Sequence, residues 1–157
     1  MFFRITTLLA GLAATFAVHA VEPDFAYFFD KHPSQIRHVV SCGNWHHENL
    51  HGFFRIVEAY QFAQSYLYVQ WMSNYDFQTS ETHAIDTAAL AEINADHAEI
   101  TLSEIACTSM PGNTRVTAKA NFAHEDKWYR MQLDLGQQPG KNTLEFVRLP
   151  STPDKKP

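Results

Sequence analysis

The string His47-Glu48-Asn49-Leu50-His51 has residue types and spacing that could carry chemistry. It matches the pattern H-E-x-x-H. In zinc peptidases this pattern lies on a helix, where the two histidines share a face and bind the metal and the glutamate polarises the attacking water. On that interpretation His47 and His51 are zinc ligands and Glu48 is the catalytic base. Candidates for a third ligand, by residue type alone, are Glu58, His83, His97 and His124.

The surroundings of this string argue against a helix. It lies between the turn signal Gly43-Asn44 and Gly52, in a chain whose patterns are mostly those of β-strands. We therefore predict that residues 45–52 form a loop. In such a loop, the neutral imidazoles of His46, His47 and His51 could bind Zn²⁺ or Cu²⁺ without catalysis. The plainer alternative is a solvated loop whose histidines titrate and bind nothing. We expect no cofactor unless this cluster holds zinc.

Other catalytic patterns are absent from the sequence. It contains no G-x-S-x-G, no S-x-x-K, no glycine-rich phosphate loop and no dinucleotide fingerprint. Carboxylates are plentiful, but their spacing alone pairs none of them in the way a glycosidase requires. The sequence therefore favours a protein that binds rather than one that catalyses, and no binding residues can be assigned.

The segment that must position the histidine string is the aromatic and β-branched run at residues 53–72. We interpret it as two strands, at 53–60 and 65–72, joined by a turn near residues 61–64. Alternation in the second strand predicts that only one of its faces is buried. A single long helix is the rival interpretation, because several apolar residues also recur at helical spacing. The aromatic and β-branched content decides for a β-hairpin.

Alternating apolar and polar residues predict further strands at 35–42, 97–107, 114–122, 128–135 and 143–149, with a bulge before Ile105. Residues 84–93 suit either a strand or a short helix, and we favour a strand. Before these strands, Phe25, Phe28 and Phe29 share one face of a short helical segment that ends at Pro33, and we expect this aromatic face to pack on the sheet. Seven or eight short antiparallel strands indicate a mostly β protein, either a small meander barrel or a β-sandwich.

The N-terminal segment of the chain predicts export. Arg4, an apolar stretch at 5–18 and the small-residue pattern Val18-His19-Ala20 are typical of a cleaved signal peptide at 1–20. The alternative is a retained N-terminal anchor helix. We expect one β domain at 21–149 and a disordered tail at 150–157. The destination is the periplasm or the exterior of the cell.

Cys42 and Cys107 are the two cysteines of the chain. An even number of cysteines in an exported protein predicts a disulfide between them. The long loop that it would close stabilises the folded state by about 4 kcal/mol in the chain-entropy treatment.

The charge of the chain excludes some partners. The formal net charge is −5, and loss of Arg4 with the signal peptide makes it about −6. There is no basic stripe, so the sequence predicts no nucleic-acid partner, and no stable membrane insertion is expected after signal cleavage. We expect an exported, non-enzymatic binding protein of the bacterial-type cell envelope with a protein or small-ligand partner. The alternatives are a metal-binding protein and a structural component of the envelope.

In general design, an exported β domain with one disulfide is similar to small periplasmic inhibitor proteins such as the lysozyme inhibitors. The sequence contains no motif of that class, so the similarity is one of architecture only and does not identify any functional residue.

Overall fold

Two antiparallel four-stranded sheets make up most of the protein. The computed structural model describes residues 24–95 and 97–150, so the predicted signal peptide and residues 151–157 of the predicted tail lie outside the described residues. The first sheet contains β1 (Ile36–His47), β2 (Leu50–Gln61), β3 (Gln64–Ser73) and β4 (Ala84–Ala89). The second contains β5 (Ile100–Met110), β6 (Asn113–Phe122), β7 (Lys127–Leu135) and β8 (Asn142–Arg148). The predicted β class is confirmed, and the sheets form a sandwich-like pair.

The helices are short. A π-helical turn spans Tyr27–Lys31, 3₁₀ turns span Pro33–Gln35 and Ala123–Glu125, and the four-residue α1 spans Ala91–Asn94. The ambiguous segment 84–93 is therefore divided, since its first part is β4 and its last part is α1. In the described part of the chain, no helix is long and apolar enough to cross a membrane.

The core lies between the two sheets and follows the predicted alternation. Every second residue of β6 and β7 is buried there because side chains of a strand alternate between its two faces. The contributors from β6 and β7 are Val116, Ala118, Ala120, Met131, Leu133 and Leu135. Those from β2 and β3 are Phe54, Ile56, Leu67, Val69 and Trp71.

Strand β3 is buried on both of its faces, which the half-buried pattern in the sequence did not predict. Tyr66 and Tyr68 point away from the main core, and the N-terminal helical segment covers them. The ring of Phe28 is fully buried and its centroid lies 5.0 Å from that of Tyr66. The predicted packing of the aromatic N-terminal face on the sheet is confirmed for Phe28, whereas Phe29 is mostly exposed.

A disulfide joins Cys42 of β1 to Cys107 of β5, as predicted. Each cysteine belongs to a different sheet, and their Cα atoms are 6.2 Å apart. Both side chains are partly buried against the main core. The bond therefore fastens one layer of the sandwich to the other across a separation of 65 residues.

Strand β1 continues five residues beyond its predicted end, so the predicted turn at Gly43-Asn44 and the predicted loop at 45–52 are wrong. Gly43 instead forms a bulge, with φ of +56° and a register shift between Cys42 and Asn44. A Cβ atom at Gly43 would lie 2.1 Å from Thr114 Oγ1, so glycine suits the position. The bulge moves the alternation by one residue and turns Trp45 into the core, where its indole donates to the Met72 carbonyl at 3.1 Å. The other predicted bulge, before Ile105, is confirmed by the register shift between Ser103 and Ala106.

Candidate functional site

Four connections meet at one end of the sandwich because both sheets are simple up-and-down meanders. They are residues 48–49, 74–83, 111–112 and 136–141. We call the exposed side chains that these connections and the adjoining strand ends present the loop-end surface. Its members are His46, His47, Glu48, Leu50, His51, Tyr75, Phe77, Ile85 and Met110.

The H-E-x-x-H string lies here, and it folds as the tip of a β-hairpin. His46 is paired with His51 across the two strands, and His47 is paired with Leu50. Glu48 opens the two-residue turn with φ of +55°. The prediction that this segment is not a helix is confirmed, while its strand pairing replaces the predicted loop.

The hairpin separates the two histidines that a zinc peptidase would need on one face. Directly paired residues share a face and adjacent residues do not, so His46 and His51 lie on one face and His47 on the other. The carboxylate of Glu48 is 79% exposed and lies 3.9 Å from His47 Nε2. The helical peptidase geometry is not formed by these residues.

The third-ligand candidates are scattered. His83 is at the same end as the hairpin, whereas His97 and His124 are at the opposite end of the sandwich. Glu58 is buried within the sandwich and accepts a hydrogen bond of 2.7 Å from the Ser65 hydroxyl. Burial raises the pKa of this carboxyl. Among residues 24–95 and 97–150, no group of three or more His, Cys, Asp or Glu side chains is arranged to hold a metal ion.

Gln137 binds three of the segments at this end together. Its carbonyl oxygen accepts from the backbone N–H of His46 at 2.7 Å, and its amide nitrogen lies 3.4 Å from the Asn44 carbonyl and 3.5 Å from that of Gly112. The strand end that bears the histidines, the β5–β6 turn and the β7–β8 loop are thus connected by one half-buried side chain. The Trp71 indole adds a bond of 3.3 Å to the Gly136 carbonyl.

The longest connection, residues 74–83, is also held by hydrogen bonds. The Ser73 backbone N–H donates to the His83 carbonyl at 2.8 Å, and His83 N–H returns a bond of 3.0 Å to the Ser73 hydroxyl. Asp76 and Glu81 form a bridge further along the loop. The loop is therefore a second small hairpin, which presents residues 77–80 at its tip.

Apolar side chains are concentrated on the loop-end surface. Of the ten exposed large apolar side chains in the described ranges, five lie here: Leu50, Tyr75, Phe77, Ile85 and Met110. The ring of Phe77 is 88% exposed and contacts Tyr75 edge-on, with centroids 5.1 Å apart. Sequence reasoning missed this feature, although two aromatic residues within the polar segment 73–82 are a visible signal.

Electrostatically, the loop-end surface is mixed. Histidines and Glu48 lie beside the apolar side chains, and Asp86 lies close to the β7–β8 loop, with its carboxylate 2.9 Å from where a Cβ of Gly140 would stand. Such a surface combines apolar contact area with hydrogen-bonding groups around it.

Comparison of the chain with protein-family models, with curated proteins and with solved structures finds no match.

Proposed function

We propose that this protein binds another protein through the loop-end surface and has no catalytic activity of its own. The observation that carries the proposal is the gathering of Leu50, Tyr75, Phe77, Ile85 and Met110 at one end of the sandwich. Exposed apolar side chains grouped in this way are typical of protein interaction surfaces, in which aromatic residues and methionine are enriched.

Rigidity supports the same proposal. Gln137 and the paired hydrogen bonds of Ser73 and His83 hold the connections in place before a partner arrives. A surface that is already ordered loses less conformational entropy on binding, so more of the contact energy contributes to affinity.

The test compares two matched variants. Tyr75→Ala/Phe77→Ala removes the two aromatic rings from the loop-end surface, and Phe62→Ala removes a ring that is 84% exposed at the opposite end. Partners captured from an envelope extract by the native protein are quantified for each variant. We expect the double variant to lose at least one partner that Phe62→Ala retains. Equal capture by both variants would contradict the proposal.

A second candidate function is binding of a transition metal by His46 and His51. The favouring observation is their direct pairing on one face of the hairpin, which brings two imidazoles together at an exposed position. Calorimetric titration with Zn²⁺ and Cu²⁺ tests it. His46→Ala is expected to abolish binding and His83→Ala to preserve it; uptake that is equal in both variants would count against the pair.

The proposed setting is the periplasm or the exterior of the cell, after cleavage that leaves Val21 as the first residue. The disulfide supports it, since such bonds persist in oxidising compartments. Fractionation of expressing cells, with the intact mass of the recovered chain, tests the proposal. Recovery of the uncut chain from the cytoplasm would refute it.

A further inference from the structure

The opposite end of the sandwich carries a cleft of about 540 Å³ on the second sheet. Its walls come from β5, β6, the start of β7 and the end of β8, and they include Ser103, Glu104, Lys119, Asp126, Trp128 and Arg148. This volume lies within the range of small-molecule sites. The cleft is separate from the loop-end surface, so the inference below does not depend on the function proposed above.

An indole forms the apolar part of the cleft. Trp128 is 47% exposed, whereas Trp45 and Trp71 are buried in the core. It is the second residue of β7 and lies on the outer face, opposite Asn121 of β6, and its carbonyl accepts from the Leu149 backbone N–H at 2.8 Å. The backbone that carries the indole is therefore paired on both sides, and about half of the residue's surface is open to solvent.

The charges beside this indole are balanced. Lys119 donates to the Glu104 carboxylate at 2.6 Å, and Lys127 donates to the Glu125 carboxylate at 2.7 Å. Asp126 and Arg148 add one further charge of each sign. The lining itself holds three cations and two carboxylates, and Glu125, which lies beside the cleft, neutralises Lys127. The group as a whole therefore has no net charge with which to select an anion or a cation. It instead offers many hydrogen-bond donors and acceptors.

Two of the cleft carboxylates are held by unusual backbone. Glu104 has φ of +53° in the bulge of β5, and Asp126 has φ of +49° at the end of the β6–β7 turn. Left-handed backbone at residues other than glycine is costly and gathers at functional sites, and bulges often redirect a side chain there. The bulge and the turn place both carboxylates in the lining of the cleft.

We propose that this cleft binds a neutral carbohydrate, with one sugar ring stacked on Trp128. The apolar C–H face of a pyranose ring fits the face of an indole, whose negative quadrupole attracts those hydrogens. The hydroxyl groups at the edge of the ring then exchange hydrogen bonds with Glu104, Asp126 and Lys119. A neutral polyhydroxy ligand satisfies a balanced set of donors and acceptors without leaving a charge unpaired.

Tryptophan fluorescence tests this inference in the whole protein, because Trp128 is the exposed indole among the three. The probes are cellotriose, maltotriose and triacetylchitotriose, with inorganic phosphate as the anionic comparison. We expect at least one trisaccharide to change the emission in a saturable manner, and phosphate not to compete with it. Isothermal calorimetry should give the same dissociation constant.

Variants make the test specific. Trp128→Ala is expected to weaken saccharide binding about tenfold or more, as measured by calorimetry. Glu104→Gln keeps the size of the side chain and should weaken binding without abolishing it, and Leu50→Ala at the loop-end surface should leave the affinity unchanged. The inference is overturned if no trisaccharide binds, if binding survives Trp128→Ala, or if phosphate binds in place of sugar. Matching circular dichroism spectra for all variants exclude misfolding as the cause.

Discussion

Removing the Cys42–Cys107 disulfide is expected to lower the free energy of unfolding by about 4 kcal/mol. The bond closes a loop of 65 residues. The chain-entropy treatment for a loop of that length gives about 14 cal/mol/K of lost unfolded-state entropy, which is about 4 kcal/mol at room temperature. Domains of this size are stable by roughly 5–15 kcal/mol, so the sandwich should remain folded while losing a large share of its stability.

Urea unfolding of the native protein and of Cys42→Ala/Cys107→Ala measures this loss. The variant should also show a steeper dependence on urea, because its unfolded chain is free to expand and exposes more surface. Native protein treated with a reductant provides a matched control. It breaks the same link but keeps both partly buried sulfur atoms, so any difference from the double variant reports packing alone. A loss below about 1 kcal/mol in both samples would refute the entropic reasoning.

Three further predictions concern stability. Burial raises the pKa of Glu58 in the folded protein above its ordinary value of about 4 in the unfolded chain. Above the raised pKa the folded protein carries the full cost of a buried carboxylate. That cost disappears as the pH falls below the unfolded-state pKa, where the carboxyl is protonated in both states. Relative to Glu58→Gln, the native protein should gain stability on acidification, and a constant difference in urea unfolding across pH would contradict this. Phe62 and Ala63 both have positive φ in the β2–β3 turn, so Phe62→Asn/Ala63→Gly should stabilise the protein by about 1–2 kcal/mol in thermal unfolding, and an unchanged melting temperature would refute this. Gln137→Ala should cost about 1 kcal/mol and speed hydrogen exchange at the His46 amide, and unchanged exchange would show that another group holds this strand.

Much of the β architecture was predictable because its signals are local. Strands β6 and β7 alternate without interruption, and they bury Val116, Ala118, Met131 and Leu133 as predicted. The β2–β3 hairpin was found from composition even though its turn, Phe62-Ala63, has no turn-forming residue. The disulfide was predicted from the even number of cysteines together with the expected export of the chain, and it is confirmed.

What sequence reasoning missed depends on contacts between distant segments. The strand character of residues 45–52 comes from pairing with β2 and from the bulge at Gly43, where Thr114 of the other sheet leaves no room for a side chain. The full burial of β3 depends on Phe28, about forty residues earlier in the chain, which covers its outer face. The cleft beside Trp128 is lined by residues from four strands, and the spacing of these residues in the sequence does not predict that they lie together.

The order of the strands has a consequence for how the protein assembles. Every strand pairing joins neighbours along the chain, so each sheet can form its own hydrogen bonds from one continuous stretch, 36–89 or 100–148. Pairing of this kind has low contact order and favours rapid formation of each layer. Neither layer, however, can cover its apolar face alone. During synthesis the first sheet is complete while Phe54, Leu67 and Trp71 still face solvent. Cys42 cannot form its disulfide until Cys107, 65 residues later in the chain, has been made. The chain is most prone to aggregation during the time between completion of the first sheet and completion of the second. Two fragments produced by cutting the chain between α1 and β5 should associate and restore the two-sheet structure.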